Sequence, residues 1–372
     1  MKRLQIILSL LVLVASLVSS KPAAGQGGKL GEKVVDKVAL KAQPQQKSAP
    51  RNLAILIFDG VQIIDYTGPY ETFGHTYSND GPAFNIYTVS EKTSAITTAM
   101  GMSVNPKYSF ENAPEPDVLL VPGGNVEGQL ENQNVIKWIQ NKSRGAEIVL
   151  SVCNGAFILA KAGLLDGLKA TTTANLIPRF REAAPKTAVV DDQRFVDNGK
   201  IITTAGLSSG IDGSLHVIEK LFGRGTAQMA ALGMEYNWDP ESQFVRAALA
   251  DKYMRFNYDV KVLEGGWKPL SRVGSRDWWE NKWAVATESS AADLLETVNK
   301  TIAENKTYGP QHVKWVRTGR DSKSTSESLW SFTDEKGALW NGVVHVEPVA
   351  GERNRFLLSV KIARNNSSAR AN

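Results

Sequence analysis

Past residue 51 the chain settles into short apolar runs separated by stretches with helical spacing. Leu53 to Phe58 is continuously apolar and closes on Asp59-Gly60, as a strand buried on both faces reads. A helix is predicted over 66–77, opened by Gly68-Pro69. Further strands are predicted over 84–90, 117–121, 146–152 and 201–204, with another near Ala188. A small hairpin is predicted over 95–108, turning near Met100-Gly101. Helices are predicted over 135–141, 155–162, 176–184, 212–222 and 225–234, with Gly163 as a stop. Apolar strands alternating with helices imply an α/β fold whose mostly parallel sheet is covered on both faces. Such sheets bind ligands at the carboxyl ends of their strands. Three of those ends stand out: Asp59-Gly60 and onward, Pro122-Gly123-Gly124, and Cys153-Asn154-Gly155.

After about Tyr253 the pattern changes. Trp267, Trp278, Trp279, Trp283, Trp315, Trp330 and Trp340 place seven of the nine tryptophans in the last third, enough for a core of its own. An amphipathic helix is predicted over 291–303, with Ala291, Leu294, Leu295, Val298 and Ile302 on one face. Strands are predicted over 313–316, 329–332, 339–346 and 355–362, with a hairpin turn over 333–337. The expected organisation is an α/β domain over 52–250 and a smaller, Trp-rich α+β accessory domain over 255–372.

The start of the chain changes the picture of where the protein works. Lys2 and Arg3 precede an apolar run from Leu4 to Val18. That run is short of the ~20 residues a membrane span needs. Val18 and Ser20 suit the small positions before a cleavage site. Residues 1–20 are therefore expected to be a secretory signal peptide, with no transmembrane segment after cleavage and a periplasmic or secreted product. Residues 21–51 form a Lys-, Gln-, Gly- and Pro-rich basic linker. The formal net charge of +5 lies entirely in these two segments, and residues 52–372 are slightly acidic. This distribution argues against nucleic acid as a partner; the partner expected is a small-molecule substrate.

Cys153 is the one cysteine, so no intramolecular disulfide forms. A strand ending directly in a helix exposes the residue at the bend, and Gly155 lets the backbone pass close behind it. The helix N-terminus favours a thiolate and so predicts a lowered thiol pKa. The Asn154 N–H would face a developing oxyanion, with a second donor from Gly123 or Gly124. The alternative is a small buried hydrophobe with no chemistry.

Four segments together carry a resemblance: Phe58 to Glu71, Val121 to Gly124, Ser151 to Gly155, and Thr204 to Asp212. In this order they resemble the ThiJ/PfpI superfamily, class I glutamine amidotransferase-like, and within it the isonitrile hydratase-like branch. The resemblance covers roughly residues 51–240. It implies a flavodoxin-like sandwich and a homodimer through the α/β domain. It also implies an elbow cysteine hydrogen-bonded to an acid after the first strand. Asp65 occupies that acidic position, where a carboxylate can relay the thiol proton. Glu71 on the same helix reads as structural, reaching toward a backbone amide of the elbow.

The departures from the family pattern matter as much. Protease-like members carry histidine directly after the cysteine, where this chain has Asn154. The hydratase branch carries threonine there, and a histidine in the segment matching 171–173, which here is three threonines. His75 and His216 fall on predicted helices, and His312 and His345 lie in the last third. No triad is assigned, no metal-ligand spacing is present, and neither metal nor cofactor is expected. The expected catalytic residues are Cys153, Asp65 and Asn154, with Gly123, Gly124 and Gly155 shaping the oxyanion and substrate site. The expected function is cysteine-dependent hydration or hydrolysis of a small carbon–nitrogen compound. The rival is a non-enzymatic ligand-binding or thiol redox-sensing module.

Overall fold

A computed structural model describes residues 49–78, 80–254, 266–303, 313–319 and 326–365. The expected signal peptide and nearly all of the linker lie outside the described residues. Within the α/β region, seven strands form one sheet. In chain order they are β1 (Arg51–Leu56), β2 (Phe84–Ser90), β3 (Tyr108–Ser109), β4 (Val118–Val121), β5 (Ile148–Ser151), β6 (Phe195–Asp197) and β7 (Ile201–Thr204). Their spatial order is β6-β7-β5-β4-β1-β2-β3. Every neighbouring pair is parallel except the β6–β7 hairpin, which is antiparallel. The mostly parallel sheet expected from the pattern is thus present, in the flavodoxin-like arrangement the resemblance implies.

The apolar runs explain the sheet. Leu53, Ala54, Ile55, Val118 to Val121, Val149 and Leu150 are fully enclosed, because helices cover both faces. One helical layer holds α1 (Ile63–Gly74), α4 (Ser209–Phe222) and α5 (Arg224–Gly233), which pack on one another. A second layer holds α2 (Gln133–Gly145) and α3 (Gly155–Lys161) with the short helix Ile177–Ala183. Asn132 caps α2, its side chain accepting from the N–H groups of Asn134 and Val135. Helix α1 begins three residues before the predicted start and carries Pro69 inside it rather than at its opening. The expected hairpin is present as Ile96–Thr97 paired with Ser103–Val104, with Gly101 at φ 85°.

Beyond residue 250 a second sheet has its own core. Strands β8 (Gly266–Gly274), β9 (Trp278–Ala286), β10 (Val316–Gly319), β11 (Glu327–Thr333), β12 (Leu339–Pro348) and β13 (Arg355–Arg364) pair antiparallel in the order β8-β9-β13-β12-β11-β10. Helix α6 (Ala291–Ala303) presses Leu294, Leu295, Val298 and Ile302 into that core, against Trp283, Trp330, Trp340, Val344 and Val360. The helix also buries Asn299, whose Oδ1 accepts from Ser328 Oγ at 2.6 Å. The segment before this sheet contributes Tyr253 to the core, while Lys252 pairs with Glu335 at 3.1 Å. Lys336 reaches Asp192 in the α/β region at 3.2 Å. Among the described residues, no helix is long and apolar enough to cross a membrane.

Candidate active site

The carboxyl ends of β7, β5, β4 and β1 lie side by side, so the loops after them converge. Strand β5 ends at Ser151 and α3 begins at Gly155, leaving three residues to reverse the chain. That constraint drives Cys153 to φ 57°, a left-handed conformation that costs a non-glycine residue of order 1 kcal/mol. The turn is held from several sides. Cys153 N–H donates to Ala205 O at 3.1 Å, and Gly155 N–H donates to Val152 O at 3.0 Å. Thr172 Oγ1 donates to Cys153 O at 2.9 Å.

Gly155 is required by close approach rather than by its dihedrals. A Cβ there would run into the carbonyl oxygen of Val121 and the carbonyl group of Pro122. Gly155→Ala should therefore destabilise the fold by about 3 kcal/mol, since backbone rather than a mobile side chain must move. Urea denaturation reads this directly. A loss below about 1 kcal/mol would mean that the elbow yields freely.

Asp65 lies in the first turn of α1 with no solvent exposure. Its Oδ2 accepts from Gly123 N–H at 3.2 Å, and its Oδ1 accepts from Leu207 N–H at 3.2 Å. The Cys153 thiol donates to the same carboxylate. Burial pushes Asp65 up to about 6, opposed by the hydrogen bonds from Gly123, Cys153 and Leu207. The thiol is pushed up to about 12, first by burial and then by the Asp65 charge, with the Asn154 N–H and the Thr173 hydroxyl acting against both. The expectation of a lowered thiol pKa is overturned. The helix N-terminus is present, but enclosure beside a carboxylate outweighs it.

The structure brings together every expected site residue, with changed duties for some. Asn154 clamps the neighbouring loop: its Oδ1 accepts from Gly124 N–H and its Nδ2 donates to Gly124 O, both at 2.8 Å. Gly123 N–H serves Asp65 and Gly124 N–H serves Asn154, so neither is a free oxyanion donor. The Asn154 backbone N–H, expected to face a developing oxyanion, hydrogen-bonds the sulfur. The polar group sequence reasoning missed is the Thr173 hydroxyl, which lies against the thiol. A Cβ on Gly206 would sit 3.6 Å from Cys153 Sγ, so that backbone closes the other side. Glu71 does not reach the elbow; it is exposed and faces His75 at 3.6 Å on the outer side of α1. His75 lies just past the end of α1, and His216 pairs with Asp197 at 2.9 Å, far along α4 from its N-terminus. His345 lies in β12. His312 lies outside the described residues.

Residues 51–220 match the DJ-1/PfpI family. Isonitrile hydratase of Pseudomonas putida is 34% identical over 188 residues, a match covering 50% of this chain and 78% of that enzyme. The HTH-type transcriptional regulator GbdR of Pseudomonas aeruginosa is 25% identical over 182 residues, 49% of each chain. A solved ThiJ/PfpI family protein from Pseudomonas syringae is 26% identical, with a TM-score of 0.47 over 55% of this chain and 86% of that one. The Trp-rich sheet lies beyond the family match.

Proposed function

Because the chain belongs to the DJ-1/PfpI family, we propose that its elbow cysteine hydrates or hydrolyses a small carbon–nitrogen compound, with an isonitrile as the first candidate. The observation that carries this reading is the pairing of the half-buried Cys153 thiol with the fully buried Asp65 carboxylate at the carboxyl ends of the strands. The thiol is not stored as thiolate; Asp65 takes its proton as sulfur bonds to carbon. With an isonitrile, the S–C bond forms at the terminal carbon and Asp65 passes the proton to that carbon, giving a thioimidate. Water then adds across the C=N bond, its oxygen to carbon and its proton to nitrogen. Collapse to the formamide breaks the C–S bond, and the hydroxyl proton returns through Asp65 to sulfur. One water is consumed and both side chains are restored. Asn154 N–H and the Thr173 hydroxyl stabilise charge at the sulfur as it attacks and leaves.

The N-terminal pattern supports a periplasmic or secreted location for this chemistry. A homodimer through the α/β domain belongs to the same reading, supported by the exposed apolar side chains of Ile64, Tyr70, Met229 and Leu232. The test is proton NMR of the full-length protein with an alkyl isonitrile, a primary amide and methylglyoxal in separate tubes. Formamide production above the buffer rate is expected. An isonitrile that persists, with neither other compound consumed, overturns the reading.

A second reading, a ligand-binding or thiol redox-sensing module, is favoured by one observation: a thiol pushed up to about 12 is a poor nucleophile unless a base assists it. The similarity to a transcriptional regulator supports the same reading. Its signature would be ligand binding without turnover and a Cys153 that resists alkylation near neutral pH.

A further inference from the structure

We propose that Arg194 is a positioning residue for the Cys153–Asp65 pair, fixing the turn whose N–H holds the Asp65 carboxylate. This rests on the reading of Asp65 as the base. Leu207 sits at φ 55°, in the left-handed region, with its side chain 46% exposed. Its exposed side chain offers little burial to offset that conformation, yet Leu207 supplies one of the two backbone N–H groups on Asp65. Something must therefore hold the turn from outside.

Arg194 does so from both main chain and side chain. Its carbonyl accepts from Ala205 N–H at 2.9 Å, and the Ala205 carbonyl accepts from Cys153 N–H at 3.1 Å. Its guanidinium donates to Ser208 Oγ at 3.0 Å, directly after Leu207, and forms a close ion pair with Asp212 in the first turn of α4. Tyr236 Oη donates to the other oxygen of Asp212 at 3.0 Å, so the pair is braced on its far side. The Arg194 side chain is 15% exposed, and Phe244 lies against it with 5.8 Å between guanidinium and ring centre. One residue thus ties the backbone of the elbow, the Leu207 turn and the start of α4 together.

Among the described residues, the ionisable groups around the Asp65 carboxylate are few. Cys153 bonds to it. Asp212, on α4 packed against α1, is ion-paired with Arg194 from directly before β6, and Tyr236 is bonded to Asp212. Glu71 and His75 face each other on the outer side of α1. A loosened Leu207 turn therefore acts on Asp65 mainly through the lost N–H bond, which favours the ionised carboxylate.

The test is the pH profile of Cys153 alkylation by iodoacetamide, followed by intact mass on the full-length protein. Arg194→Met should move the lower inflection up by about half to one pH unit, the equivalent of one hydrogen bond. Capture near that inflection then slows roughly three- to ten-fold and converges with wild type at high pH. Arg194→Lys, which keeps the charge on Asp212, should recover part of the shift. Arg179→Met, which breaks an exposed pair with Glu127, should leave the profile unmoved. If Arg194→Met does not fold, Ser208→Ala and Arg194→Lys should each give a smaller upward shift. A folded Arg194 variant that is less stable but has the wild-type inflection overturns this inference alone. A wild-type profile with no lower inflection overturns the base reading with it.

Discussion

Cys153→Ala should reduce turnover of the hydrated substrate by about 10⁴-fold or more, to the level of water alone, while leaving the fold intact. The loss is expected to be complete because no other thiol exists in the chain and the described site holds no histidine to stand in. The fold should survive for three reasons. The removed atom is small. The φ of 57° is no worse for alanine than for cysteine. The bonds that hold the turn run through backbone and Thr172. Progress curves beside circular dichroism separate the two effects. A variant that keeps a tenth of wild-type turnover would place the chemistry elsewhere.

Asp65→Asn should lower turnover by about 10²- to 10⁴-fold, the range for removing a positioned base. It should also change how stability varies with pH. Burial raises the folded-state pKa of Asp65 from 3.8 to about 6. Between those values the native state holds a proton that the unfolded chain has released. The favourable contribution of the protonated acid is therefore fully present below pH ~4 and is lost as pH rises through ~6. Relative to Asp65→Asn, the wild type should lose about 2–3 kcal/mol across that window and then level off. The amide has a single oxygen for the Gly123 and Leu207 N–H groups, a pH-independent cost of about 1 kcal/mol that shifts the difference curve without tilting it. Urea midpoints measured at several pH values check this. Parallel curves for the two proteins would mean that Asp65 is not strained by burial.

Both predictions depend on a site whose parts were unevenly legible in the sequence. Cys153, Gly123 and Gly155 could be found because each follows a buried apolar strand within a short stretch, whereas Asp65 was singled out by the family resemblance. A parallel sheet gathers such strand ends on one edge. The thiol pKa was read in the wrong direction because local pattern shows the helix N-terminus but not the enclosure around it. Thr173 escaped notice as one of three successive threonines; only the return of that segment against β7 and the elbow selects its hydroxyl. Leu207 and Arg194 act through a backbone N–H and through a hairpin, β6–β7, whose short first strand carries no apolar period.

The second sheet shows the same limit. Helix α6 was predicted with its observed bounds because its spacing is regular. Strands β11, β12 and β13 alternate cleanly between buried and open positions, and were foreseen. Strands β8 and β9 were not. β8 is largely exposed, contains Pro269 and shifts register between Pro269 and Ser271, and β9 mixes charged residues among its tryptophans. Edge position in β8, and partial burial in both, blur the period of two.

The most direct measurement is the rate of Cys153 capture by iodoacetamide from about pH 5 to about pH 10, in wild type and in Asp65→Asn. Base assistance by Asp65 predicts a wild-type rate that climbs through an inflection near 6, where the carboxylate forms, and an Asp65→Asn rate without that step. Superimposable profiles, rising together only at high pH, would contradict it.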